Sequence, residues 1–155
     1  MLEYPSRYFL ASGIGSSSHE LVSFDNALLS AGLSNYNLLK VSSILPADSK
    51  EQKRIDLPEG SALLVAYGTI SSDIPGDRIS SAIAVGVPED DSSVGIIMEY
   101  SGHGDAATAE SVVRDMVYES MQNHAIPCRE IKSSSIEAVV APNRFTTVIS
   151  ALAFW

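Results

Sequence analysis

Few residues in this chain of 155 have both the type and the spacing that chemistry requires. His19, His103 and His124 show no metal-ligand spacing, no Gly-x-Ser-x-Gly elbow is present, and the single cysteine, Cys128, has no mark of activation. Each histidine therefore reads as a surface or capping residue. Gly13 and Gly15 with the three serines after them do not form the Gly-x-Gly-x-x-Gly pattern, so the segment reads as a flexible connecting turn. Serine is the remaining candidate. Adjacent pairs occur at Ser42-Ser43, Ser71-Ser72, Ser80-Ser81 and Ser92-Ser93, so a bare pair carries no information. What sets Ser42-Ser43 apart is its setting: Val41-Ser42-Ser43-Ile44-Leu45-Pro46 leaves an apolar strand and meets a proline-bounded turn.

The elements around that pair follow from periodicity and punctuation. Tyr4 to Ser12 is expected to be an opening strand, and Ser23 to Ala31 a short helix with Ser23 as N-cap and Gly32 as a left-handed C-terminal residue. Asn37 to Ile44 reads as one apolar strand ending before Pro46, and the polar run from Ala47 to Gly60 as a mobile loop. Three apolar segments follow, Ser61 to Ile70, Ile79 to Val87 and Val94 to Tyr100, expected as a meander of buried strands. Between Asp105 and His124, residues Ala109, Val112, Val113, Met116, Val117 and Met121 recur at helical spacing, with the methionines filling core. Cys128 to Val140 and Phe145 to Phe154 close the chain as strands about a turn at Pro142-Asn143. Consecutive strands without alternating crossover helices define an α+β protein.

Composition narrows the partners. The chain is long enough for one domain with a complete core, residues 1–155, and it is 45% hydrophobic and 19% charged, as an ordinary soluble protein is. Its formal net charge of -9 repels phosphate backbones and anionic lipid, which argues against nucleic acid and membrane surfaces as partners. Lone Cys128, the lack of a basic-then-apolar leader and the lack of a long apolar run make the cytoplasm the expected location.

Phe24 to Pro46, FDNALLSAGLSNYNLLKVSSILP, resembles the helix, Asn-containing turn and self-cleavage site of the pyruvoyl-dependent arginine decarboxylase family. Ala66-Tyr67-Gly68, Ser72-Asp73-Ile74-Pro75-Gly76 with Ile79-Ser80, Ala84, Gly95 to Tyr100 (GIIMEY) and the terminal Ala-Leu-Ala-Phe-Trp are similar to family segments at compatible spacing. The resemblance covers the chain from about Tyr8 onward and rests on several motifs that agree. It implies a four-layer αββα sandwich with mainly antiparallel sheets and two principal helices. It further implies a homotrimer with active sites between subunits.

The resemblance also implies a reaction that these residue types support. The Ser43 hydroxyl attacks the Ser42 carbonyl to give an ester, and β-elimination then releases residues 1–42 and leaves a dehydroalanine that hydrolyses to pyruvoyl and ammonia. Serine suits this because its oxygen serves first as nucleophile and then as leaving group. The pyruvoyl group, covalent and derived from Ser43, forms a Schiff base with a substrate α-amine and serves as the electron sink for decarboxylation, with no metal and no diffusible cofactor. By the same likeness Glu99 matches the proton donor, Asp25 the residue holding the substrate guanidinium, and Asn37 a residue needed for self-processing. Plainer roles are open to each: an exposed strand position for Glu99, a first-turn helix acid for Asp25, a turn amide for Asn37. The implied activity is conversion of L-arginine to agmatine and carbon dioxide. The alternatives are the same chemistry on another amino acid, or a non-catalytic trimeric binding protein of the same fold.

Overall fold

A computed structural model describes residues 3–155. Nine strands and two helices follow in the order β1 (Arg7–Ser17), α1 (Glu20–Ala31), β2 (Asn37–Lys40), β3 (Ile44–Leu45), β4 (Lys50–Glu51), β5 (Ala62–Ser72), β6 (Arg78–Pro88), β7 (Gly95–His103), α2 (Ala106–Asn123), β8 (Cys128–Val139) and β9 (Phe145–Phe154). The strands form a five-stranded sheet, β2-β5-β9-β1-β4, and a four-stranded sheet, β3-β7-β6-β8. Pairing is antiparallel except for β1 with β4 and β2 with β5. The larger sheet is covered by α1 and the smaller by α2, with the two sheets packed on each other, so the layers run α1, sheet, sheet, α2.

This layering explains why β6 and β9 are apolar almost without alternation. Both are buried on both faces. Along β9, Ile149, Ala151 and Ala153 pack under α1 while Leu152 and Phe154 pack between the sheets; along β6, Ala82 and Ala84 meet α2 while Ile83 and Val85 meet the other sheet. Part of the inter-sheet layer is polar, and there hydroxyls find partners across it. Ser81 Oγ donates to the Gly68 carbonyl at 2.7 Å, Ser150 Oγ to the Ser81 carbonyl at 2.9 Å, and Ser101 Oγ to the Thr69 carbonyl at 3.1 Å.

Several sequence expectations are corrected. Gly13 and Gly15 are not a turn. They lie inside β1, and a Cβ on either would come within 2.3 or 2.2 Å of the Ala27 or Ser23 carbonyl oxygen of α1, so glycine there lets helix and strand approach. The helix starts at Glu20 with His19 as N-cap; Ser23 is instead buried, its hydroxyl 2.6 Å from both Glu20 O and Thr147 Oγ1. Gly32 does terminate it, at φ 76°.

The expected single strand from Asn37 to Ile44 is two strands in different sheets, and β5 lies in the other sheet from β6 and β7, so no three-stranded meander forms. The Ala47 to Gly60 run, expected to be mobile, is strapped down. The Lys50 and Gln52 amides donate to the Ser6 and Tyr8 carbonyls, Arg7 and Trp155 Nε1 both bond Asp56, and Tyr36 donates to the Leu57 carbonyl. Its polar composition reflects these pairings rather than solvent alone. The helix between Asp105 and His124 is present as expected, with the Asp105 carboxylate accepting from the Thr108 amide as N-cap. No helix of the described residues is long and apolar enough to cross a membrane.

Candidate active site

Ser42 and Ser43 sit where the chain leaves one sheet for the other. Up to Val41 the backbone is bonded to β5, Val41 N donating to the Val65 carbonyl at 3.0 Å; from Ser43 onward it is bonded to β7, the Ile97 amide donating to the Ser43 carbonyl at 2.8 Å. The bond between the serines therefore joins two segments that are anchored separately. Cutting it would leave each half held by its own sheet.

The antiparallel register that pairs Ile44 with Ile96 brings β7 past the same point. Glu99 lies two residues beyond Ile97 on that strand, about 7 Å along it, and so projects from the same face, toward the larger sheet. There it packs over Gly68 of β5, where a Cβ would lie 3.3 Å from Glu99 Cβ. Burial disfavours the charged carboxylate and raises its pKa above the usual range, with the positive charge of Lys40 working in the opposite direction. Glu99 is thus a half-buried acid rather than an exposed strand residue. It makes no side-chain hydrogen bond among the described residues.

The other two candidates lie on other elements, Asp25 on α1 and Asn37 at the start of β2. Asp25 is exposed in the middle of α1, not in its first turn, so the helix-start explanation for it falls away. It shares an i, i+4 face with Leu21 and Leu29, which are 78% and 56% exposed. Asn37 opens β2, and its side-chain amide donates to the Gly60 carbonyl at 2.8 Å, which is the plainer, turn-holding role.

One residue that the sequence reading did not single out, Lys40, has a positive charge that acts on Glu99. Lys40 Nζ stands 4.7 Å above the ring centre of Tyr67, and that ring leans on Phe24 of α1 with centroids 6.2 Å apart. The available signal was a lone lysine in the otherwise apolar run NLLKV. His103, by contrast, pairs its Nδ1 with Asp77 at 3.0 Å, and burial raises the Cys128 thiol's pKa, so neither behaves as an activated group at this edge. Among the described residues no cluster of three or more His, Cys, Asp or Glu side chains could hold a metal ion.

Clefts of about 410 Å³ (Glu20, Leu21, Phe24, Thr69, Ser71) and about 320 Å³ (Ser18, Asp73, Pro75, Asn143, Arg144, Phe145) open elsewhere on the chain. A serine at the crossing between sheets and a half-buried carboxyl with a raised pKa thus lie along one strand of an αββα sandwich. A family model described as pyruvoyl-dependent arginine decarboxylase matches residues 7–155. The proteins of that name from Methanocaldococcus jannaschii, Thermococcus kodakarensis and Pyrococcus abyssi are 36%, 38% and 34% identical to this chain. The alignments cover 97%, 88% and 97% of this chain and 90%, 87% and 96% of the respective relatives. The chain belongs to the pyruvoyl-dependent arginine decarboxylase family, a family of lyases whose electron sink is a covalent pyruvoyl group. The residues present fit that group: Ser43 has the residue type from which it can form, the Ser43 carbonyl accepts from the Ile97 amide of β7, and Glu99 lies two residues further along that strand.

Proposed function

We propose that this chain cleaves itself between Ser42 and Ser43, carries a pyruvoyl group at position 43, and converts L-arginine to agmatine and carbon dioxide in the cytoplasm. The observation that carries the reading is the sheet-to-sheet crossing at Ser42-Ser43 beside a half-buried Glu99. The bound pyruvoyl group supplies an electrophile for the substrate α-amine and a sink for the electrons left by carbon dioxide. In processing, Ser43 Oγ attacks the Ser42 carbonyl and the peptide nitrogen leaves as the amine of residue 43; loss of the Cα proton then breaks the Oγ–Cβ bond so that the oxygen departs on the Ser42 carboxylate, and water replaces the remaining nitrogen as ammonia to give the ketone. The Ile97 amide holds the Ser43 carbonyl through these steps, which keeps the new chain end in place. In turnover, Glu99 delivers its proton to the carbon that lost carbon dioxide, a role served by an acid whose pKa lies closer to neutrality.

Asp25 would pair its carboxylate, which accepts two N–H···O bonds in one plane, with the substrate guanidinium that donates them. Asp25, exposed on the outer helix layer, would serve a site completed by a neighbouring copy. A ring of copies needs two unlike patches on each chain. Two are present: the Leu21-Asp25-Leu29 face of α1, and the crossover edge with exposed Leu39, Ile44 and Tyr100. A homotrimer with sites between subunits is the assembly that the family resemblance implies.

Mass spectrometry of the purified protein tests the reading. The expected fragments are residues 1–42 and a second chain from residue 43 blocked to amino-terminal sequencing, with agmatine formed from arginine but little product from histidine, ornithine, lysine or aspartate. Ser43→Ala should give one intact, inactive chain. Glu99→Gln should still cleave but lose on the order of a hundredfold or more in kcat. Since Glu99 must be protonated to act, kcat should fall as pH rises through its raised pKa. An intact wild-type chain after prolonged incubation would sink the proposal.

A further inference from the structure

β2 is a four-residue edge strand that leads straight to Ser42-Ser43. It runs parallel to β5, Asn37 to Lys40 against Ala62 to Val65, and parallel neighbours have no hairpin to set their register. Here the starts of the two strands are clasped instead, residues 35–37 against the turn at residues 57–61. The Tyr36 hydroxyl donates to the Leu57 carbonyl at 3.1 Å, the Asn35 side-chain amide to Glu59 Oε1 at 3.1 Å, and the Asn37 backbone N–H to the Ser61 carbonyl at 2.9 Å. Gly60 stands at the centre and uses both of its peptide groups on the same segment. Its N–H donates to the Asn35 carbonyl at 2.6 Å, and its carbonyl accepts from Asn37 Nδ2 at 2.8 Å. It does so at φ 87°, a conformation that favours glycine. A Cβ there would meet nothing within 4 Å, so the position asks for glycine on backbone grounds alone.

We propose that Gly60 is a positioning residue for self-cleavage: the clasp it forms on Asn35 and Asn37 sets β2 on β5 and so places the Ser42 carbonyl for attack by the Ser43 hydroxyl. The proposal rests on the reading that the chain cuts itself at Ser42-Ser43. An extended chain of about 17 Å separates Asn37 from Ser42. It is bonded to β5 along the way, up to the Val41 N–H on the Val65 carbonyl, so a shift at the clasp is carried to Ser42. Beyond the cut, the Ser43 carbonyl is held by the Ile97 amide in the other sheet. A displaced β2 therefore moves the attacked carbonyl relative to the hydroxyl that attacks it. The reacting atoms must approach to about 3 to 3.5 Å, and a misplacement of about 1 Å can cost about a hundredfold in rate. On this account Asn37 serves the cut through the Gly60 carbonyl that it holds, without touching the reacting atoms.

The test follows the cleaved fraction by mass spectrometry in chains harvested at intervals after induction, with Tm measured alongside. Gly60→Ala should cleave about tenfold or more slowly than the wild type. Gly60→Asn, whose side chain tolerates the left-handed conformation, should restore most of the rate. Gly76→Ala is the matched control: Gly76 has φ 81°, its Cβ position is equally open, and it lies in the turn between β5 and β6, outside the clasp. Both alanine variants should lose a similar Tm, about 2 to 8 °C, yet only Gly60→Ala should slow the cut. Asn37→Ala should slow it as well, and by less in the Gly60→Ala background, a coupling that a double-mutant cycle reads. Unchanged cleavage in Gly60→Ala, no rescue by Gly60→Asn, or equal slowing in Gly76→Ala overturns the proposal, the last by showing that lost stability alone slows the cut. Effects of Gly60→Ala and Asn37→Ala that simply add overturn the route through the Asn37 amide. A wild-type chain that stays intact removes the self-cleavage reading and this proposal together, and it is seen before any variant is compared.

Discussion

The two helices cover their sheets in different ways. α1 docks on β1 backbone to backbone: Ser23, Ala27 and Ala31, spaced four apart, lie over Gly13 and Gly15. α2 docks through side chains, with Val113, Val117 and Met121 filling the space above β6. Their outer faces differ as well. α2 shows water Arg114, Asp115 and Glu119, with Tyr118 its one large exposed apolar side chain, whereas α1 exposes Leu21, Val22 and Leu29 around Asp25. A helix that presents leucines to water on one face is ordinarily covered there. The α2 side is a finished surface. The α1 side is held close, and it offers the face that carries Asp25, the proposed partner of the substrate guanidinium.

The largest effect should come from filling the gap that allows the close docking. Gly15→Ala places a Cβ 2.2 Å from the Ser23 carbonyl oxygen, a backbone atom that cannot yield without moving the helix. Overpacking costs typically 1 to 3 kcal/mol, and a backbone obstacle puts this case at about 3 kcal/mol or more. For a chain of this size that corresponds to a fall in Tm of about 6 to 12 °C, readable by calorimetry. An unchanged Tm would mean that α1 does not sit against β1 as described.

Next in size is the contrast between outer faces. Leu21→Lys combined with Leu29→Lys should break the assembly, seen as a monomer mass by light scattering, and most of the arginine activity should go with it. Tyr118→Lys on α2 should change neither. If both variants remain assembled, the α1 face is ordinary surface. A smaller effect separates the acids of the two faces: Asp25→Asn should lower kcat/KM for arginine about ten- to a hundredfold, while Asp115→Asn should leave it within experimental error. Normal arginine turnover in Asp25→Asn would make the guanidinium partner some other group.

The same contrast marks what could be read from the sequence. α2 was legible because its signals are local: the helical repeat that includes Val113, Val117 and Met121, and no competing glycine. The end of α1 was legible from Gly32 for the same reason. Its beginning was not, because Ser23 looks like a cap until Thr147, far along the chain, is seen to claim its hydroxyl. Gly13 and Gly15 read as a turn because the need for glycine comes from a helix crossing that periodicity does not encode. The break at Ser42-Ser43 was hidden in an unbroken apolar run, since only pairing with β5 on one side and β7 on the other divides it. Glu99 and Ser43 were matched through likeness to a family rather than through spacing. It is the Ile44–Ile96 register that brings their strands together.

The smallest effect belongs to the glycine under α2, and it tests whether the two docking modes really differ. Gly86 of β6 faces Val117 and Met121, and a Cβ there would meet Val117 Cγ1 at 2.8 Å and Met121 Cγ and Sδ at 3.0 Å. These obstacles are side-chain atoms. Methionine has three rotatable bonds and re-packs readily, although branched Val117 is stiffer and must shift by a few tenths of an ångström. Against that strain, Gly86→Ala lowers the entropy of the unfolded chain, which offsets about 0.4 to 1 kcal/mol. The net loss should be about 1 kcal/mol or less, a Tm change of about 2 to 4 °C at most. Because the residual clash is with Val117 Cγ1, adding Val117→Ala should cost less in the Gly86→Ala background than in the wild type, a coupling that a double-mutant cycle measures. A loss as large as that of Gly15→Ala, with no coupling to Val117, would show that α2 is held as rigidly as α1.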